Sequence, residues 1–296
     1  VPVVSAADAA LGSSEQIEKT IDGRADVTNA AVFDWLEKNV HSESAPFFLW
    51  VHYFDPHYPY TPPAGYDHLL GLKYSGRIDG SVDAIHAIEK KQVMPTPEDR
   101  ARLLELYQGE IAFTDAQVGL LLKKLEDGGL LDDTIVVATG DHGESFGEHD
   151  DWTHGLKVFE PEVRVPLLLR YPRRVSGRTV VDAPVQSIDL LPTLLDLTGI
   201  KPSAELQGKS LLPLLNGSSD GKDRVAFTEL ADEAFVSMLS YQEWKLTRNN
   251  ANDELQLYHL SNDAGEQKNL AADQPALTRE LHARLLDMMK VSGVSK

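Results

Sequence analysis

The chain has 296 residues, 42% hydrophobic and 25% charged, enough apolar material for a large buried core in an ordinary globular fold. Its formal net charge of −18 repels phosphate backbones and anionic headgroups, which argues against nucleic acid and membrane surfaces as partners and favours small ligands or metal ions. With no cysteine, these residues contain no disulfide, no thiolate metal site and no cysteine nucleophile. No apolar run approaches the roughly 20 residues of a membrane-spanning helix. The chain starts at Val1 without an initiator Met or a basic-then-apolar leader. A signal peptide removed with whatever preceded it would suit a periplasmic or secreted protein, although nothing in the composition reports the compartment.

Taken in order, Val27, Ala30, Ala31, Phe33 and Leu36 recur near helical spacing and predict a helix from Ala25 to Val40, followed by a polar loop at Ser42–Ser44. Pro46–Val51 is a short apolar, aromatic run that reads as a buried strand of a parallel sheet. It ends in a polar, proline-rich loop, His52–Tyr60, at the kind of strand exit where α/β sheets bind ligands. Thr96-Pro97-Glu98-Asp99 is a helix start, and apolar residues from Leu103 to Leu125 carry that helix to Gly128-Gly129. Thr134–Ala138 predicts a second strand and Val165–Tyr171 a third, with a capped helix over Ser187–Leu197. Beyond about Asn216 four short runs, Val225–Leu230, Ala234–Tyr241, Trp244–Arg248 and Leu255–Leu260, predict an antiparallel lobe. A last helix, with Leu277, Leu281, Leu285 and Met288 on one face, closes the chain. The expected fold class is α/β, a mostly parallel sheet flanked by helices over 1–215, followed by a small antiparallel sheet and helix over 216–296.

Three clusters carry chemistry. Gly140-Asp141-His142-Gly143-Glu144 follows a strand, and a carboxylate beside an imidazole, framed by glycines, suits one side of a divalent-metal site; a solvated turn is the plainer alternative. The next loop, Gly147–Lys157, brings His149, His154 and Lys157, a density of cationic groups unusual for a connector, with His149 the one most readily explained by packing. In His52–Tyr60 two prolines restrict the backbone and would hold His57 in a set direction at the strand exit, where it could donate to an anionic ester; an aromatic-proline surface loop is the plainer alternative.

The stretches Pro46–Tyr60, Tyr107–Asp115, Gly140–His149 and Arg164-Val-Pro166, with a tail at Glu254–Glu266 and Asn269–Ala271, resemble the sulfatase family of the alkaline phosphatase superfamily, in that family's order. The similarity runs from about Arg24 to about Ala272. It implies an alkaline phosphatase-like fold incomplete at the amino terminus and hydrolysis of sulfuric esters. It also implies Asp141 and His142 as ligands of a divalent metal, with calcium the ion implied, and His57 as a contact to the sulfate or the bridging oxygen. The sulfate-binding cation falls on His154 or on Lys157, a choice the spacing leaves open. The expected substrate is a small sulfate ester or a sulfated glycan.

One family feature is missing from these residues. Members carry a Cys-x-Pro-x-Arg or Ser-x-Pro-x-Arg motif whose first residue becomes the formylglycine nucleophile, together with an acidic metal-binding pair before it. No serine here is followed by the required Pro and Arg, and Ser44-Ala45-Pro46 continues with two phenylalanines. The motif is therefore expected upstream of Val1, and the segment alone is expected to be inactive. Alternatives are phosphonate or phosphate ester hydrolysis, phosphoglycerol transfer, or noncatalytic anion binding.

Overall fold

The computed structural model describes residues 24–41, 45–218, 221, 223–230, 235–240 and 243–292. The Ser42–Ser44 loop and the ends of the Ala234–Tyr241 run lie outside the described residues. The chain divides between Leu131 and Asp132 into two compact units.

In the first unit, helix α1 (Ala25–Asn39) buries Asn29, Val32 and Leu36 on one face, three to four residues apart as helical period requires. Helix α2 (Val82–Glu89) is capped by the Ser81 side chain and lies in a region that no sequence signal marked as helical. Helix α3 (Pro97–Asp127) starts where expected, with Thr96 and Asp99 exchanging both capping bonds and Pro97 in the first turn, and it stops at Gly128. Val32 and Leu36 of α1 meet Leu125 of α3 in a core completed by Phe47, Leu49 and Val51.

These last three belong to the run expected as a strand. The alternation of burial is there: Phe47, Leu49 and Val51 face the core, while Phe48 and Trp50 are 63% and 77% exposed. The ladder is not, because none of the described strands pairs with it. A strand is defined by a neighbour as much as by its own pattern, and this run has no such neighbour among the described strands.

In the second unit, β1 (Val136–Thr139) and β4 (Leu167–Arg170) form an antiparallel pair in the register Val136↔Arg170 to Thr139↔Leu167. Every strand pair among the described residues is antiparallel, so the parallel pairing expected of these runs is absent there. Between them lie the short hairpin of β2 (Ser145–Phe146) and β3 (Trp152–Thr153) and one turn of helix, α4 (Glu160–Val163). The capped helix expected over Ser187–Leu197 appears as a single 3₁₀ turn leading into α5 (Leu190–Thr198), with α6 (Leu212–Leu215) after it.

The four runs of the carboxyl-terminal lobe become β5 (Val225–Glu229), β6 (Phe235–Ser240), β7 (Trp244–Asn249) and β8 (Leu255–His259), an antiparallel meander in sequence order. Helix α7 (Pro275–Ser292) covers the sheet, packing Leu281, Leu285 and Met289, each four residues on, against Leu246 and Leu257. Each such side chain taken from water contributes about 1.5–3 kcal/mol, so this cluster anchors the helix on the sheet.

Candidate functional site

The first unit presents His57 on a loop tied down at both ends. Tyr53 Oη donates to Asn29 Oδ1 at 2.6 Å, and the Ala25 N–H donates to Asp55 Oδ2 at 2.8 Å. Beyond His57, the Tyr60 N–H donates to the Gly80 carbonyl at 2.8 Å and the Thr61 N–H to Glu110 Oε1 at 2.8 Å. Gly80 has φ +80, and a Cβ there would collide with the Tyr60 carbonyl oxygen, so this approach requires glycine. The His57 ring sits between Phe54 and Tyr58, with centroids 4.7 and 4.4 Å away. Its Nδ1 is 2.6 Å from the Tyr58 carbonyl, which can only accept; Nδ1 therefore carries the proton and neutral His57 keeps its lone pair on Nε2.

In the second unit β1 ends at Thr139, and Gly140-Asp141-His142-Gly143 turns immediately after it. The turn is pinned by Gly143 N–H to the Glu162 carbonyl at 2.7 Å and Glu144 N–H to the Pro161 carbonyl at 2.9 Å. A Cβ on Gly143 would strike the Pro161 carbonyl oxygen, so this glycine too is required by a close backbone approach. His142 Nδ1 lies 2.9 Å from the Gly143 carbonyl, which again puts the neutral lone pair on Nε2, the form a metal needs. That Nε2 is 3.9 Å from Asp141 Oδ1, and the Asp141 side chain is 72% exposed. Two oxygen- and nitrogen-donor ligands at this spacing suit adjacent positions on one ion, but no group of three or more His, Cys, Asp or Glu that could hold a metal occurs among the described residues. The donor set fits half a metal site.

His154 stacks on His142, with ring centroids 3.9 Å apart, and its Nδ1 is 3.0 Å from Glu144 Oε1. Burial works against charge on His154, but the Glu144 hydrogen bond and the charges of Glu144, Glu162 and Asp141 outweigh it, and its pKa is raised. Lys157 turns its Nζ to the His149 carbonyl, and the His149 ring lies flat on Phe159 at 3.6 Å, the packing role expected of it. The structure thus groups Asp141, His142 and His154, with Lys157 on the same loop engaged by a backbone oxygen.

Buried acids hold this arrangement, and sequence reasoning assigned them no role. Glu162 accepts from Ser145 Oγ at 3.2 Å and from the Gly155 N–H at 2.8 Å, fixing the residue next to His154. Burial and the neighbouring Asp151 push its pKa up to about 7. A charged residue spaced like Glu162 in Glu160-Pro-Glu162-Val reads as a solvated helix start; only its burial to 4% exposure marks it.

A sulfatase family model matches residues 10–200, and a second, for N-sulphoglucosamine sulphohydrolase, C-terminal, matches residues 147–291. Arylsulfatase K of Danio rerio is 32% identical over 210 residues, 68% of this chain and 40% of its own length. The uncharacterized sulfatase YidJ of Escherichia coli K12 is 29% identical over 290 residues, 93% of this chain and 57% of its own length. Among solved structures, the phosphonate monoester hydrolase of Agrobacterium radiobacter is similar with a TM-score of 0.71 at 25% identity, over 90% of this chain and 60% of that one. The chain spans about half the length of the curated relatives it matches. Since the first family model covers well over half of the chain, including the His57 loop, the Asp141-His142 turn and the His154 loop, the chain belongs to the sulfatase family of the alkaline phosphatase superfamily.

Proposed function

We propose that the chain supplies part of the site of a metal-dependent sulfuric ester hydrolase. The observation that carries this reading is the grouping of Asp141, His142 and His154 at the exit of β1, with the His142 tautomer set for ligation. Asp141 and His142 would hold a divalent ion, calcium by family resemblance, and the ion when bound would offset charge on the ester oxygens. Two ligands from this chain are fewer than the 6–8 oxygens calcium takes, so others must come from water, substrate or further protein.

The cationic groups act on the ester. His57, oriented by the Tyr58 carbonyl through Nδ1, donates from Nε2 when protonated, to the sulfate or to the bridging oxygen as it leaves. His154, held by Glu144, offers a second donor to the sulfate, and Lys157 a third once it leaves the His149 carbonyl. No residue of this chain fits the nucleophile motif, so attack belongs to a group supplied from elsewhere.

The match of residues 147–291 to an N-sulphoglucosamine sulphohydrolase model supports a sulfated amino sugar or related glycan as substrate. The likeness to a phosphonate monoester hydrolase favours a second reading, phosphonate ester hydrolysis at the same residues. The test is hydrolysis of an aryl sulfate and an aryl phosphonate ester, with calcium, by this chain alone and by the chain joined to a segment bearing the Cys- or Ser-x-Pro-x-Arg motif. The expected result is no turnover alone and sulfate turnover with the motif; robust turnover by the chain alone overturns the assignment.

A further inference from the structure

The Tyr107–Asp115 motif contains a buried acid that the reaction does not use. Glu110, on α3, is 4% exposed, and its Oε1 accepts from the Thr61 N–H at 2.8 Å. Its Oε2 is buried with no donor among the described residues. What faces Glu110 is the carboxyl of Asp55, whose own Oδ2 accepts from the Ala25 N–H at 2.8 Å. Two ionised carboxylates in such contact repel in a setting that water does not screen, and one proton between them turns the repulsion into a hydrogen bond and satisfies the orphaned oxygen. The other groups facing Glu110, the Thr61 N–H and the Arg24 guanidinium, favour its ionised form; burial and Asp55 outweigh them and raise its pKa to about 8.

Asp55 and Thr61 stand on either side of His57. We propose that Glu110 is the positioning residue of the His57 loop: it shares one proton with Asp55 and, by holding Asp55 and Thr61 at once, clamps both ends of the loop to α3. This rests on the reading of His57 as an ester contact for its consequence, but not for the clamp itself. Loss of the shared proton sets two buried negative charges against each other and releases the loop, so the clamp carries an alkaline limit.

The test is hydrogen–deuterium exchange of the 296-residue chain, following peptides over residues 53–61 between pH 6 and pH 9.5 after correction for intrinsic rates, with residues 115–127 of α3 as an internal control. In the unsubstituted chain, protection of 53–61 is expected to fall at least tenfold across pH 8 to 9.5 while the control is unchanged. Glu110→Gln, whose amide donates to Asp55 and accepts from Thr61, is expected to keep protection at all pH values, and Asp55→Asn to do the same. Glu110→Leu should lose protection at pH 6 already; if circular dichroism shows that it does not fold, the Gln and Asn variants decide. Protection independent of pH in the unsubstituted chain, or an unchanged alkaline fall in Glu110→Gln, overturns the proposal. The measurement requires no turnover, so an error in the reaction class would show in the ester assay and leave this result to stand or fall by itself.

Discussion

Lys245 is the cation on which the carboxyl-terminal sheet and the turn of α4 jointly depend, and its removal is a strong test of the packing described above. Its side chain is 1% exposed on β7, with Nζ 3.0 Å from Glu160 Oε1 and 3.0 Å from Glu266 Oε1. Glu266 is fully buried, and its Oε2 accepts from the Glu160 N–H at 2.7 Å, so one carboxylate both pairs with the lysine and caps α4. Lys245→Met keeps the stem's volume and removes the charge. Two acids then remain without a counter-ion, and breaking a buried pair in this way costs about 3–5 kcal/mol. For a unit of this size that is a fall in Tm of about 10 °C. Urea and thermal unfolding followed by circular dichroism and tryptophan fluorescence measure it. The deficit should shrink toward pH 4. The pKa of Glu266 is already raised by burial against the pull of Lys245, and without the lysine it rises further, so its protonated form contributes stability at low pH that is lost as pH climbs through the folded value. The double variant Lys245→Met, Glu266→Leu should recover much of the loss. A deficit below about 1 kcal/mol, or one unchanged between pH 4 and pH 8, would refute the reasoning, since that size is typical of a surface pair.

Three further expectations concern the region around His142. Asp141→Ala should weaken calcium binding in a calorimetric titration while shifting the metal-free melting point little, about 0.5 kcal/mol or less, because the side chain is mostly exposed; loss of fold would make Asp141 structural. Gly143→Ala should destabilise by about 1–3 kcal/mol or more, as its Cβ drives the turn off the Pro161 carbonyl, and unchanged unfolding in urea would contradict the close approach. Glu162 has a raised pKa near 7, so its contribution is fully present below the ordinary carboxyl range and is lost as pH rises through about 7; the loss is at most about 3 kcal/mol. Glu162→Gln should flatten that part of the stability–pH curve, and an identical curve would rule out the raised pKa of Glu162 as its cause.

Features set by near neighbours were legible in the chain itself. The Thr96–Asp99 capping box, the glycine stop after α3, the four runs of the β5–β8 meander and the Leu281-Leu285 face of α7 all follow from contacts within a turn or a hairpin. The Asp141-His142 turn belongs with them, because its place at the end of β1 and its glycines are local. What the tertiary structure alone decided depends on residues far apart in sequence. Pro46–Val51 has the alternation of a strand but no partner among the described residues, and β1 and β4 run antiparallel although each run would equally suit a parallel sheet. The acids that hold the loops, Glu110 under Thr61, Glu162 under Gly155 and Glu266 beside Lys245, have no individual role that the sequence assigns. Their role comes from burial, which sets the energy of a charge by what surrounds it, and no local pattern reports what will surround a residue once the chain has folded.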